Sequence, residues 1–151
     1  MEIKKVVVIG SGVMGSGIAA QVCNANIPVT LLDLKTEISQ KAKDKIFSSR
    51  PPLLIDKSNI DNIKVGNISD NFDVVGTADW IVEAVVERID IKHNLYEKIL
   101  KTRKKDSIIS SNTSTIPLKI LSAKMLDEDK KDFCITHFFN PVRYMLSLIH
   151  I

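Results

Sequence analysis

Residues 4–15, KKVVVIGSGVMG, restrict the possible folds of this chain more than any other stretch. A β-branched run that breaks at a glycine is the pattern of a strand buried on both faces of a parallel sheet. The residues that follow, Val13 to Asn26, are small and read as a helix packed closely on that sheet. Between them, Gly10-Ser11-Gly12-Val13-Met14-Gly15 fits G-x-G-x-x-G. The spacing alone is weak, but after a buried strand and before a helix it has a mechanism. Gly10 permits the tight turn, Gly12 lets the backbone approach a pyrophosphate, and Gly15 lets helix and strand meet. The free N–H groups of the helix N-terminus would hold the phosphates.

Asp33 closes a second apolar run, PVTLLD, 18 residues beyond Gly15. A carboxylate there accepts both hydroxyls of an adenosine ribose and repels a 2′-phosphate, which favours NAD over NADP. Lys35, two residues on, is the one feature that points the other way. The alternative reading of the whole motif is a glycine turn and a strand-terminal acid with no ligand.

The remaining chain continues the alternation. Lys35 to Ser49 reads as an amphipathic helix stopped by Arg50-Pro51-Pro52. Leu53 to Asp73 is turn-rich, with a short strand expected at Asn62 to Val65. Asp79 to Val86 reads as a strand, and Asp90 as the cap of a helix bearing Ile91, Leu95, Ile99 and Leu100 on one face. A strand at Ser107 to Ser110, a polar loop at 111–114, a brief helix from Ile116 to Ala123 and a solvated loop from Lys124 to Asp132 follow. Phe133 to Phe138 is the last expected strand. Strands alternating with helices from the first residue onward imply one α/β domain, a Rossmann-type, doubly wound, mostly parallel sheet.

Composition adds exclusions. A net charge of +3, with 26% charged residues interspersed, does not single out nucleic acid. The basic run Lys98 to Lys105 reads as a solvated helix end. Cys23 and Cys134 lack paired spacing and read as reduced, packed thiols, which fits a cytoplasmic location. Val6 to Ile9 is too short for a membrane span. No residue pattern suggests a metal site.

Three further segments bear on the reaction: VEAVVERIDIK (Val82 to Lys92), SNTST (Ser111 to Thr115) and HFFNPVRYM (His137 to Met145). With IGSGVMGSGIA, in this order, they resemble the 3-hydroxyacyl-CoA dehydrogenase family of fatty-acid β-oxidation over nearly the whole chain. RPPLL…KVGNISDNF further resembles the long bacterial members that also carry an enoyl-CoA hydratase module. The resemblance implies NAD as cofactor and oxidation of the 3-hydroxyl of a 3-hydroxyacyl-CoA to a ketone. It implies His137 as the base, with Ser114 and Asn140 positioning the substrate oxygen and the nicotinamide. It also implies Glu87 and Lys92 at the cofactor–substrate cleft, and Asp33 and Met14 on the adenosine side. Read without it, His137 is a core histidine, Ser114 a helix N-cap ahead of Ile116, Asn140 a turn residue, and Glu87 with Lys92 an exposed pair. His93 and His150 match nothing in the family and read as surface residues.

The chain departs from the family pattern at its end. The glutamate that orients the family's histidine stands twelve residues after it, and here position 149 is Ile149. An unoriented imidazole is a weaker base. The family's C-terminal helical domain, which closes over the acyl-CoA and forms the dimer contact, has no counterpart. The expectation is an NAD-binding domain over 1–151, truncated near its C-terminal end, with 146–151 not the natural continuation. Such a chain alone is expected to be nearly inactive; the full-length protein is expected to be homodimeric or multidomain. Two alternatives are a non-catalytic NAD-binding module and a related dehydrogenase acting on a small free hydroxy acid.

Overall fold

The computed structural model describes residues 2–145 and the backbone of 148–150. Strand β1 (Val6–Ile9) lies at the centre of the sheet because all four of its side chains are apolar and buried. It pairs in parallel with β2 (Val29–Asp33) on one side and β4 (Trp80–Glu83) on the other. Beyond β2 lies β3 (Ile63–Asn67), and beyond β4 lie β5 (Ile108–Ser111) and β6 (Phe133–Phe138), all parallel. A short antiparallel strand, β7 (Leu148–His150), completes the order β3-β2-β1-β4-β5-β6-β7. This is the expected doubly wound sheet. The order reverses between β1 and β4, and the crevice at the carboxyl ends of these strands is where such folds bind ligands.

Strand pleating divides the core into two layers. Val6, Val8 and Leu31 face helices α1 (Val13–Asn24) and α2 (Thr36–Ser48) through Ile18, Ala19, Cys23, Ala42 and Ile46. Val7, Ile9, Ile81 and Ile109 face α3 (Ile89–Thr102) and the single turn α4 (Leu118–Leu121) through Leu95, Tyr96, Ile99 and Leu121. Both layers are contiguous, so the sheet is covered on both faces, as a parallel sheet requires.

Several expectations need correction. Asp90 does not cap α3: Arg88 occupies the cap position without a side-chain bond, and Asp90 pairs with the Arg88 guanidinium instead. The stretch Lys124 to Asp132 is not all loop, for α5 (Asp127–Lys130) forms a turn within it. The basic run after Tyr96 is not simply solvated. Arg103 is 9% exposed and bonds Asp129, Asp132 and the Ser107 carbonyl, while Lys104 pairs with Asp79. These cations fasten the end of α3 to the segments before β4, β5 and β6.

The turn-rich segment after α2 contains two 3₁₀ helices, at Lys57–Asn62 and Phe72–Thr77, on either side of β3. Its Pro52 and Leu54 carbonyls accept from the Arg143 guanidinium, and Pro52 also accepts from the Tyr144 hydroxyl. Both cysteines are free, and burial pushes each thiol above its ordinary value. Among the described residues no helix is long and apolar enough to cross a membrane. The side chain of His150 lies outside the described residues, and His93 is half-buried with Nε2 2.9 Å from the Ile120 carbonyl.

Candidate active site

The turn after β1 leaves no room for a side chain at Gly10 or Gly15. Gly10 has φ +100°, and a Cβ there would lie 2.5 Å from the Ala84 carbonyl oxygen. A Cβ on Gly15 would fall 1.8 Å from the Gly10 carbonyl oxygen, so α1 rests directly on the turn. Gly12 faces open space and stands at the N-cap of α1 with no side-chain cap bond, leaving the first N–H groups of the helix available. Asp33 sits beside this turn, its Oδ2 accepting from the Ser11 N–H at 2.7 Å and the Ser11 hydroxyl at 2.5 Å.

A cavity of about 540 Å³ opens here, lined by Gly10, Gly12 and Asp33 and walled by Leu34, Ile38 and Ile68. Such a volume suits a cofactor-sized ligand. The apolar wall suits an adenine, the acid a ribose and the bare helix terminus a pyrophosphate, so these residues fit a dinucleotide. Met14, expected on the adenosine side, is partly buried and packs against the core layer under α1.

A second constellation lies at the ends of β4, β5 and β6. Ser114 Oγ is 3.0 Å from His137 Nε2, so the serine loop and the histidine meet. The His137 ring also lies against Phe139, with centroids 4.8 Å apart. Thr113 and Ser114 are held by Glu87, whose carboxylate accepts from the Thr113 hydroxyl at 2.9 Å and the Ser114 N–H at 2.7 Å. Ser114 does not cap α4: Pro117 holds the cap position without a side-chain bond, and Thr113 Oγ1 accepts from the Ile116 N–H in the turn before it. Burial pushes the Glu87 carboxyl up, but the bonds from Ser114, Thr113 and Lys92 together outweigh it and hold the group below its ordinary value. Asn140 is an exposed turn residue before a cis peptide bond to Pro141, and none of the bonds joining Glu87, Ser114 and His137 reaches it.

Lys92 is not part of an exposed pair. Its side chain is 1% exposed, with Nζ 2.6 Å from Glu83 and 3.1 Å from Glu87. Glu83, fully buried, is the residue that sequence reasoning missed. Its Oε1 accepts from Lys92 and the Val85 N–H, and its Oε2 from the Tyr96 and Ser111 hydroxyls at 2.6 Å each. Burial, reinforced by the Glu83 charge, pushes the Tyr96 hydroxyl well above its ordinary value. Asn112 spans the gap to β6, donating its N–H to the Glu83 carbonyl and accepting the Phe138 N–H on its side chain. One signal was present in the sequence. An acid at the end of the apolar run WIVE must find partners when buried, and Lys92 lies nine residues on.

A doubly wound sheet with a bare glycine turn and a ribose-side acid defines a dinucleotide-binding domain, and the Ser114–His137 pair beside it has the groups for proton exchange. The family model for "3-hydroxyacyl-CoA dehydrogenase, NAD binding domain" matches residues 5–150, and the chain belongs to this family. It is 46% identical over 151 residues to a putative fatty acid oxidation complex trifunctional enzyme of Rickettsia felis, covering 95% of this chain and 21% of that protein. It is 40% identical to a probable 3-hydroxyacyl-CoA dehydrogenase of Deinococcus radiodurans, covering 96% of this chain and 44% of the relative. The crystal structure of (S)-3-hydroxybutyryl-CoA dehydrogenase from Ralstonia eutropha superposes with a TM-score of 0.87 at 29% identity, covering 99% of this chain and 54% of that one. The chain thus spans between about a fifth and about half of these proteins.

Proposed function

We propose that this chain is the NAD-binding part of an oxidoreductase that converts a 3-hydroxyacyl-CoA to a 3-oxoacyl-CoA in fatty-acid oxidation. The bound nicotinamide supplies the hydride acceptor. The glycine turn and the N-terminus of α1 hold the pyrophosphate, and Asp33 holds the adenosine ribose. His137 takes the hydroxyl proton as the C–H bond breaks, because an alkoxide is costly to form at neutral pH. An imidazole suits this exchange in both directions. Ser114, hydrogen-bonded to His137 Nε2, stands where a substrate oxygen would be shared between the two. Glu87 fixes the backbone of that serine, and Lys92, enclosed by two carboxylates, acts through Glu87 rather than by touching cofactor. Asn140 is assigned to the nicotinamide side by its match to the family motif. A reducing compartment such as the cytoplasm suits the free thiols.

The observation that carries this reading is the 3.0 Å contact between Ser114 Oγ and His137 Nε2 at the mouth of a dinucleotide fold. The test has two parts. The chain should bind NADH in a fluorescence titration, while alone turning over acetoacetyl-CoA poorly. Joined to a helical substrate-closing domain, it should reduce acetoacetyl-CoA with NADH and lose that turnover on His137→Gln while keeping NADH affinity. Turnover of free hydroxy acids in preference to CoA thioesters would overturn the substrate assignment, and undiminished turnover in the histidine variant would overturn the base.

A further inference from the structure

Among the described residues Asp33 is the only acid lining the cavity beside the glycine turn, and most of its hydrogen-bonding capacity is already taken. Oδ2 accepts two bonds from Ser11, one from its N–H at 2.7 Å and one from its hydroxyl at 2.5 Å. Oδ1 accepts the Leu34 N–H at 2.7 Å. A carboxylate offers about four lone-pair positions, so about one is left. An adenosine ribose presents two hydroxyl donors to this acid. Both hydroxyls are satisfied only if one existing donor leaves.

The three donors are not equally movable. The Leu34 N–H belongs to the residue next to Asp33 and stays where β2 ends. The Ser11 N–H is fixed by the turn, and the Ser11 carbonyl is pinned in addition by the Ser16 hydroxyl at 2.9 Å. Only the Ser11 hydroxyl can swing away, by rotation about a single side-chain bond. Ser11 is 7% exposed, so its hydroxyl has little water to turn to when it leaves. Displacing it therefore opposes binding.

We infer that the Ser11 hydroxyl is a built-in competitor of the adenosine ribose for Asp33 and so sets the affinity for NAD. The inference rests on the NAD reading above. It makes Ser11 a residue that specifies how much of the binding comes from the second ribose hydroxyl. Removing the hydroxyl leaves the turn backbone and the acid in place and frees one lone pair on Oδ2. Both ribose hydroxyls are then accepted at once.

The test is a set of NADH titrations on the wild-type chain, Ser11→Ala and Ser11→Gly, followed by cofactor fluorescence. Loss of one competing hydrogen bond is expected to tighten NADH about fivefold in both variants. A cofactor analogue lacking the 2′-hydroxyl of the adenosine ribose needs only the lone pair already free, so the three proteins should bind it within about twofold of one another. Unchanged or weaker NADH binding in both variants would overturn the inference, weaker binding meaning that the hydroxyl touches cofactor. Equal tightening for NADH and the analogue would overturn it as well, because the gain would then come from the turn and not from the ribose. Failure of all three proteins to bind NADH would overturn the NAD reading and the inference together.

Discussion

Replacing Lys92 by methionine tests whether the buried charge cluster holds the active-site loop. Methionine keeps the length and apolar stem of the side chain and removes only the cation. In the wild-type protein Nζ lies 2.6 Å from Glu83 and 3.1 Å from Glu87, with Lys92 and Glu83 almost wholly out of water. Removing one partner of a buried ion pair costs about 3–5 kcal/mol, since the other charge is left uncompensated. Glu83 keeps three donors, from Val85, Tyr96 and Ser111, so the charge is not bare and the lower end applies. The expected loss is about 3 kcal/mol in urea unfolding at neutral pH, or a fall of about 6–12 °C in melting temperature for a chain of this size. Adding Glu83→Gln to Lys92→Met removes the stranded charge and should recover about 1–2 kcal/mol, a non-additivity expected of residues in direct contact. A loss below about 1 kcal/mol for the single variant, or simple additivity in the double, would refute the reasoning.

Two further outcomes follow from the same geometry. Gly15→Ala places a Cβ 1.8 Å from the Gly10 carbonyl oxygen, a clash between backbone elements that no side chain can relieve. The variant should lose cooperative thermal unfolding or NADH binding, and a native melt with native affinity would show that the turn yields. The Glu87 carboxyl is held below its ordinary value of 4.5 in the folded protein. It therefore contributes stability that is present above that pH and is lost as pH falls through the lowered value. The stability gap between wild type and Glu87→Gln should be widest near neutral pH and should close on acidification below about pH 4.5. A gap independent of pH would remove Glu87 from this role.

The parts of the molecule that sequence reasoning reached are those written locally. The run KKVVVIG breaks at a glycine that must adopt φ +100°, and the expected turn and helix lie there. The strand at Phe133–Phe138 has the expected bounds because an apolar run is flanked by charged and Asn-Pro punctuation. What failed depends on partners distant in sequence. Lys92 looks like an exposed residue on a charged helix, and only the fold brings Glu83 and Glu87 to the same ammonium. Arg103 looks like one more cation in KILKTRKK until Asp129 and Asp132 arrive from beyond β5. Asp90 misses the cap for a local reason: α3 begins at Ile89 with Arg88 at the cap, so Asp90 falls inside the first turn and pairs with the Arg88 guanidinium. For Lys92 and Arg103 the deciding partners are carboxylates that only the fold brings near, and no local pattern in the sequence announces them.

The same network bears on how His137 is aimed. The β6–β7 register sets the backbone of position 149 opposite His137. Among the described residues no carboxylate forms an ion pair with His137, and its Nε2 is held by the Ser114 hydroxyl. The Ser114 backbone is held by Glu87, and Asn112, two residues before it, ties β4 to β6. In the proposed reaction, orientation of the imidazole falls to this serine loop, and the buried cluster around Glu83 supports the loop through Lys92 and Glu87.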